Sequence, residues 1–250
     1  MSQSMLSVRG LSKRFGALEV TRSVDLDLAP GARTALIGPN GAGKTTLVNL
    51  LTGVLRADAG EVRLAGVPIT HDKPERRVRA GLVRTHQINT LLVETPAREN
   101  VAIAIAERDG LAWRMLRYGA AWRACLEEAD ARLRDLGLGA HGDVRVSEMP
   151  YGHQRLLEMA IALAMRPRVL LLDEPAAGVP SSETHMIQDA LARLPADIAI
   201  LIIEHDMDLV FRFASEIVVL VQGGVLCRGT PAQIAAHDEV RAVYLGKAAA

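Results

Sequence analysis

Residues 38–45 read "GPNGAGKT". They follow a short apolar run, "RTALI" at 33–37, and open a helical pattern, Lys44 to Leu51, that stops at Gly53. The stretch matches G-x-x-x-x-G-K-[ST] in the strand-then-helix setting that gives this spacing its meaning. Glycines let the backbone curl until successive N–H groups face one anion, and the helix starting near Gly43 adds its positive end. Such a loop holds phosphate. Lys44 is expected to reach the β- and γ-phosphates of a nucleotide, and the Thr45 hydroxyl to hold Mg²⁺. Gly38, Pro39, Asn40, Gly41, Ala42, Gly43 and Thr46 supply the rest of the cradle.

Further along, "VLLLDE" at 169–174 places four apolar residues ahead of two carboxylates. The run predicts a strand buried on both faces, which delivers its acids to the C-terminal edge where open α/β sheets bind ligands. Asp173 suits a Mg²⁺-facing position, and Glu174, one residue on, suits orienting and polarising a water in line with the γ-phosphate. "IIEHD" ends a second apolar strand on the same expected edge. His205 there is a candidate to hydrogen-bond the γ-phosphate and the attacking water. Gln87, leaving a strand after "LVRTH", is a candidate contact to Mg²⁺ or water, although a loop glutamine ordinarily has no such role.

The chain of 250 residues has room for one large domain, or a domain carrying a subdomain. Apolar residues make up 49% and aromatics 3%, so the core is Leu, Val, Ile and Ala, which suits parallel strands. Lys plus Arg and Asp plus Glu both number 29, so no basic excess points to a nucleic-acid partner. The 2 cysteines, Cys125 and Cys227, form no metal-ligand pattern and fit a reducing compartment. The longest apolar runs, at 198–203, 217–221 and 101–106, fall short of the roughly 18 residues that span a bilayer. A soluble, cytoplasmic protein is expected, with docking on a membrane protein left open.

Alternating segments at 6–15 and 20–31 read as strands, and 60–69 as a hairpin. From about 94 to 165 the period is helical, clearest at 100–108, 120–136 and 152–165. Strands return at 168–175, 198–205 and 216–229, alternating with helices at 181–194 and 206–214, and a last helix is expected at 231–245. The expected fold is α/β: a mainly parallel core with an antiparallel N-terminal β-subdomain and an inserted helical subdomain. As one domain it covers 5–246. The core and β-subdomain take 5–87 and 166–230, the helical subdomain 88–165 and the C-terminal helix 231–246.

The order of Phe15, "GPNGAGKTT", "RTHQ", a helical stretch, "YGHQRLLEMA", "LLLDEP", "IIEHD" and "GGVLCRGTP" resembles the ATP-binding subunit of ABC transporters, a P-loop NTPase fold, over nearly the whole chain. "LIGPNGAGKTTLVNLLTG", "ENVAIA", "DEPAAG" and "VYLG" are similar to the group serving branched-chain amino acid importers. The resemblance implies two such domains, in a homo- or heterodimer, sandwiching two ATP molecules head to tail. Each ATP then lies between one subunit's phosphate loop and the other's "LSGGQ" segment. It implies adenine stacking on Phe15, and membrane permease subunits coupled through Gln87 and the segment after it. A solute-binding protein takes part indirectly, on the far side of the permease. The expected place is the inner face of the cell membrane. Trp113, Tyr118 and Trp122 lie among arginines in a stretch read as a docking helix or, by spacing, as core packing.

In that frame "MPYGHQ", with Pro150, Tyr151, Gly152, His153 and Gln154, occupies the position of "LSGGQ", or of "LSYGQQ" in the branched-chain group, whose tyrosine Tyr151 matches. Gly152 keeps the glycine and helix start that aim N–H groups at the partner's γ-phosphate. Pro150 stands where the family has serine and loses a hydroxyl and an N–H; His153 replaces a glutamine. Val179 and Pro180 depart from the usual Leu followed by Asp or Asn. The expectation is a lopsided pair, with a partner of ordinary "LSGGQ" type completing one competent site; a working homodimer is the alternative. Two other functions are open: an ATPase of a soluble assembly machine, and a low-turnover regulatory subunit of a heteromeric transporter.

Overall fold

The runs "VLLLD" and "AILII" are buried at every residue, as strands covered on both faces must be. Residues 4–85, 91–111 and 118–244 are described by the computed structural model of the chain. In order, its first elements are β1 (Leu6–Phe15), β2 (Leu18–Leu28), β3 (Arg33–Ile37), α1 (Lys44–Thr52), β4 (Ala59–Leu64), β5 (Val67–Pro68), α2 (Pro74–Ala80) and β6 (Leu82–Arg84). Helices α3 (Ala97–Arg108), α4 (Tyr118–Asp135) and α5 (Tyr151–Ala164) follow. Then come β7 (Val169–Asp173), α6 (Thr184–Ala192), β8 (Ala199–Ile203), α7 (Met207–Phe213), β9 (Glu216–Val221), β10 (Gly224–Gly229), α8 (Pro231–Ala235) and α9 (Asp238–Tyr244).

One unit comprises the chain up to Leu82, Arg168–Glu174 and everything from Ala196 onward. Its first sheet is antiparallel, in the order β2-β1-β4-β5. Its second runs β10-β9-β3-β8-β7, parallel from β9 through β7, with β10 antiparallel at one edge. Leu6, Leu26, Leu47, Leu51, Leu171 and Leu201 belong to one apolar cluster that joins both sheets to α1. Burying each such leucine contributes about 2 kcal/mol, so this cluster dominates the unit's stability.

Helix α2 reads PERRVRA, and one of its arginines does not face solvent. Arg77 is only 2% exposed, and its guanidinium donates to the carbonyls of Leu50, Leu51, Thr70 and Asp72. Two of those carbonyls belong to the last turn of α1, where intrahelical donors run out and only Leu50 O also accepts from the capping Gly53 N–H, at 3.3 Å. The buried cation is tolerated because the helix end needs donors.

The second unit comprises Val83–Pro167 and Pro175–Pro195. Pro96 caps α3 in an extended conformation, and the buried Asn100 amide holds the preceding turn, accepting from Leu92 N–H at 2.8 Å and donating to Thr95 Oγ1 at 2.8 Å. Arg108 at the end of α3 grips Glu128 of α4 with two hydrogen bonds of 2.8 and 2.9 Å and donates to Ala164 O of α5 at 2.6 Å. Helix α6 packs on α5. Tyr118 opens α4, and Trp122 is half-buried on it. Trp113 lies outside the described residues.

The expected helix at 231–245 is two helices. Thr230 and Gln233 form a reciprocal capping box on α8, which ends at Ala235 with Ala236 as its C-cap. Asp238 and Glu239 then favour a fresh helix start, where carboxylates meet free N–H groups. Among the described residues no helix is long and apolar enough to cross a membrane.

Candidate nucleotide site

The phosphate loop runs from the end of β3 to the start of α1. Gly43 caps α1 with φ 99°, and a Cβ there would lie 2.6 Å from the Val20 carbonyl oxygen, so only glycine fits. A Cβ on Gly38 would overlap the Leu220 carbonyl oxygen. Gly223 N–H donates to Ala42 O at 2.9 Å, which pins the loop to the β9–β10 turn. No local pattern announces these buttresses, since Val20, Leu220 and Gly223 are far away along the chain. Lys44 Nζ donates to Gly38 O at 2.7 Å and to Pro39 O at 3.1 Å. Asn40 through Thr46, with Val20 and Glu174, line a cavity of 240 Å³.

Strand register brings the acids to this loop. Ile203 of β8 pairs with Leu36 of β3 on one side and Asp173 of β7 on the other. Gly38, Glu174 and His205 therefore leave the same sheet edge within a residue or two of one another in register. Asp173 is buried and Glu174 half-buried. Burial lowers the Lys44 pKa, and the charges of Glu174 and then Asp173 oppose that fall. The ammonium thus sits in the field of both carboxylates.

His205, two residues past Ile203, has a side chain 69% exposed, and its N–H donates to the buried Glu204 carboxylate at 3.1 Å. Phe15 ends β1 opposite Leu18 and is 49% exposed, so it is no core residue. The Lys13 ammonium lies 5.6 Å from its ring centroid. Gln87 lies outside the described residues.

Pro150 is the N-cap of α5, and its carbonyl accepts from Gln154 N–H at 3.1 Å. Tyr151 is exposed. Gly152 N–H donates to Glu183 Oε2 at 3.2 Å. The His153 ring lies 4.5 Å from that of His141, tilted by 46°. Burial and then His141 lower the His153 pKa below its ordinary 6.5 while Glu183 raises it, so the imidazole is mainly neutral at pH 7. The Gln154 amide turns back, donating to Met149 O at 2.9 Å and Val146 O at 3.3 Å.

These residues fit a nucleoside triphosphate with Mg²⁺. The loop is a close-packed glycine turn that a Cβ at Gly43 would force off Val20, and the Lys44 ammonium is tied to its Gly38 carbonyl. A hydroxyl (Thr45) and a carboxylate (Asp173) are the hard oxygen donors that Mg²⁺ takes alongside phosphates. At 240 Å³ the cavity is below the roughly 300–1,000 Å³ of pockets that enclose a whole small molecule, and its lining is mostly loop residues, which suits phosphate groups.

The family model described as "ABC transporter" matches residues 21–177, and one described as "Branched-chain amino acid ATP-binding cassette transporter" matches 225–250. The chain is 39% identical to the high-affinity branched-chain amino acid transport ATP-binding protein LivG of Escherichia coli K12, covering 99% of this chain and 100% of that one. It is 33% identical to a probable protein of that name from Archaeoglobus fulgidus, over 97% of this chain and 95% of that one. The crystal structure of the ADP conformation of MJ1267, an ATP-binding cassette of an ABC transporter, superimposes with a TM-score of 0.85 at 30% identity, covering 98% of this chain and 99% of that one.

Proposed function

The chain belongs to the ABC transporter family of ATP-binding subunits, and from that membership we propose that it is the ATPase that powers an importer of branched-chain amino acids. The observation that carries the catalytic part is the shared register of Leu36, Ile203 and Asp173, which gathers loop, lysine and acids at one sheet edge. The amino-acid part rests on the kinship with transporter subunits of that group and on the second family match at 225–250.

In this reading the loop amides and Lys44 bind the phosphates of ATP, and Thr45 and Asp173 hold Mg²⁺ together with Gln87. Bound there, Mg²⁺ neutralises charge developing on the transferred phosphoryl group. Glu174 orients and polarises the attacking water, His205 donates to the γ-phosphate oxygen, and Phe15 stacks on adenine. The start of α5, residues 150–154, faces the nucleotide held by a second ATP-binding subunit. Membrane permease subunits and, through them, a solute-binding protein complete the assembly at the inner face of the cell membrane. Residues 5–246 act as one ATP-binding domain.

The test is ATP hydrolysis by the purified chain over a wide concentration range, alongside uptake of labelled leucine by cells in which this chain restores a deletion. Turnover and uptake that both vanish with Glu174→Gln support the reading. Turnover without any amino-acid uptake removes the proposed solute. A heteromeric pair is favoured as the second subunit's identity by Pro150, which gives α5 neither a side-chain cap nor a donor of its own.

A further inference from the structure

We propose that Glu183 is a built-in competitor for the nucleotide-facing end of α5, a latch that must release before the partner's nucleotide can dock there. The first turn of a helix leaves N–H groups without intrahelical partners and carries partial positive charge. An N-cap Ser or Asp would satisfy one of them. Pro150 has no side-chain oxygen to offer, and α5 has no side-chain cap from its own N-cap residue. The anion is supplied instead from 31 residues away: Glu183 Oε2 accepts the Gly152 N–H at 3.2 Å. Gly152 permits the approach, since a Cβ there would stand 2.5 Å from that oxygen.

Two other contacts hold the same segment on α5. Arg155 Nη2 donates to Ala177 O at 3.3 Å, and Arg155 is itself fixed by Glu158 at 2.9 Å. The Tyr151 ring covers Gly178, where a Cβ would meet its Cε1 at 3.2 Å, and the Arg155 guanidinium lies 5.3 Å from the ring centroid. The carboxylate's field also reaches His153, whose pKa it raises against burial. One amide cannot serve a carboxylate and a phosphate together, and two anions at one helix end repel. The inference rests on the reading that the α5 start faces the partner nucleotide. Residues 175–183 run without a break from Glu174, so release of the latch removes one of the contacts that hold the chain following the hydrolytic acid.

The experiment uses the full chain and Glu183→Gln. Site-resolved hydrogen exchange at the Gly152 amide is followed with and without inorganic phosphate, and hydrolysis is followed against protein concentration. Loss of the charge is expected to speed Gly152 exchange by about threefold or more, and phosphate to slow it again in Glu183→Gln but not in the parent. The protein concentration giving half-maximal turnover is expected to fall by about threefold or more. Unchanged exchange means there is no latch. Faster exchange, with phosphate protection but no gain in concentration dependence (absence of turnover in both proteins included), means the latch exists and the α5 start does not receive the partner's nucleotide. Either result overturns the proposal.

Discussion

Asp173 stands opposite Ile203 in the parallel ladder between β7 and β8, and the pairing decides where the next side chain goes. Glu174 donates its N–H to Ile203 O at 2.9 Å and turns out of the strand at φ 48°, a left-handed conformation that costs a non-glycine residue about 1 kcal/mol or more. The strand end is bent so that the second carboxylate leaves the sheet at the mouth of the phosphate loop. Glu174→Gln keeps shape and removes the charge. Turnover is expected to fall by about 10²–10⁴-fold with ATP affinity within a few-fold of the parent, read by steady-state hydrolysis and nucleotide titration. Equal loss of binding would assign Glu174 to holding the nucleotide rather than to activating water.

Arg77 predicts a stability effect without a direct catalytic one. Arg77→Leu leaves the carbonyls of Leu51, Thr70 and Asp72 without the guanidinium in a buried place, and that of Leu50 with only the Gly53 N–H. Each unsatisfied group costs about 1–3 kcal/mol, partly relieved by water from an open cavity that Gly53, Thr70, Asp72 and Arg77 help to line, so a net loss of about 3 kcal/mol is expected. Urea titration measures it. A loss below about 1 kcal/mol would mean that the α1 terminus finds other donors.

Glu128 gives the helical unit a dependence on acid. The two hydrogen bonds from Arg108, aided by the charges of Arg108 and Arg166, hold its carboxyl at about 2 against an ordinary 4.5. The folded form therefore binds this proton less readily than the unfolded chain. The stabilisation is whole above the ordinary value and is lost as pH falls from 4.5 towards 2. Glu128→Gln is expected to lower the melting temperature at neutral pH and to flatten the fall between pH 4.5 and pH 3, as followed by calorimetry. A parallel acid limb in parent and variant would remove Glu128 from the account.

Pro150→Ser separates two roles of one position. A serine N-cap is expected to stabilise α5 by about 1 kcal/mol, seen as a higher melting temperature. Its hydroxyl also restores a donor at the helix end, and turnover by the chain alone is expected to rise. A higher melting temperature with unchanged turnover would show that proline limits stability only, and would leave the lopsided-pair reading without support.

The parts of this site that could be read from the sequence are those written in adjacent residues. The loop, with its glycines at fixed offsets, and the two buried strands with acids at their ends need only local spacing to be recognised. Arg77 was not legible because four carbonyls from three places in the chain make its pocket, and nothing in "PERRVRAG" announces them. The contact of Gly152 with Glu183 spans 31 residues and escaped for the same reason. The Gln154 amide is the residue type expected at its position, yet it folds back on Met149 and Val146. Residue type predicts chemistry; direction comes from packing.

The helical unit is written in two pieces, Val83–Pro167 and Pro175–Pro195, with the seven residues that end in both acids threaded between them. It is therefore not a cassette that can be cut out at one pair of junctions. A fragment ending at Pro167 would lack α6 and uncover the face of α5 on which that helix rests, whereas Ile187, Ala190 and Leu191 would be stranded on the excised remainder. Grafting this unit onto another scaffold, or splitting the gene for a complementation assay, requires a four-way cut that leaves Arg168–Glu174 behind. Evolution meets the same wiring: recombination at a single boundary cannot exchange the helical unit without also exchanging the strand that carries Asp173 and Glu174.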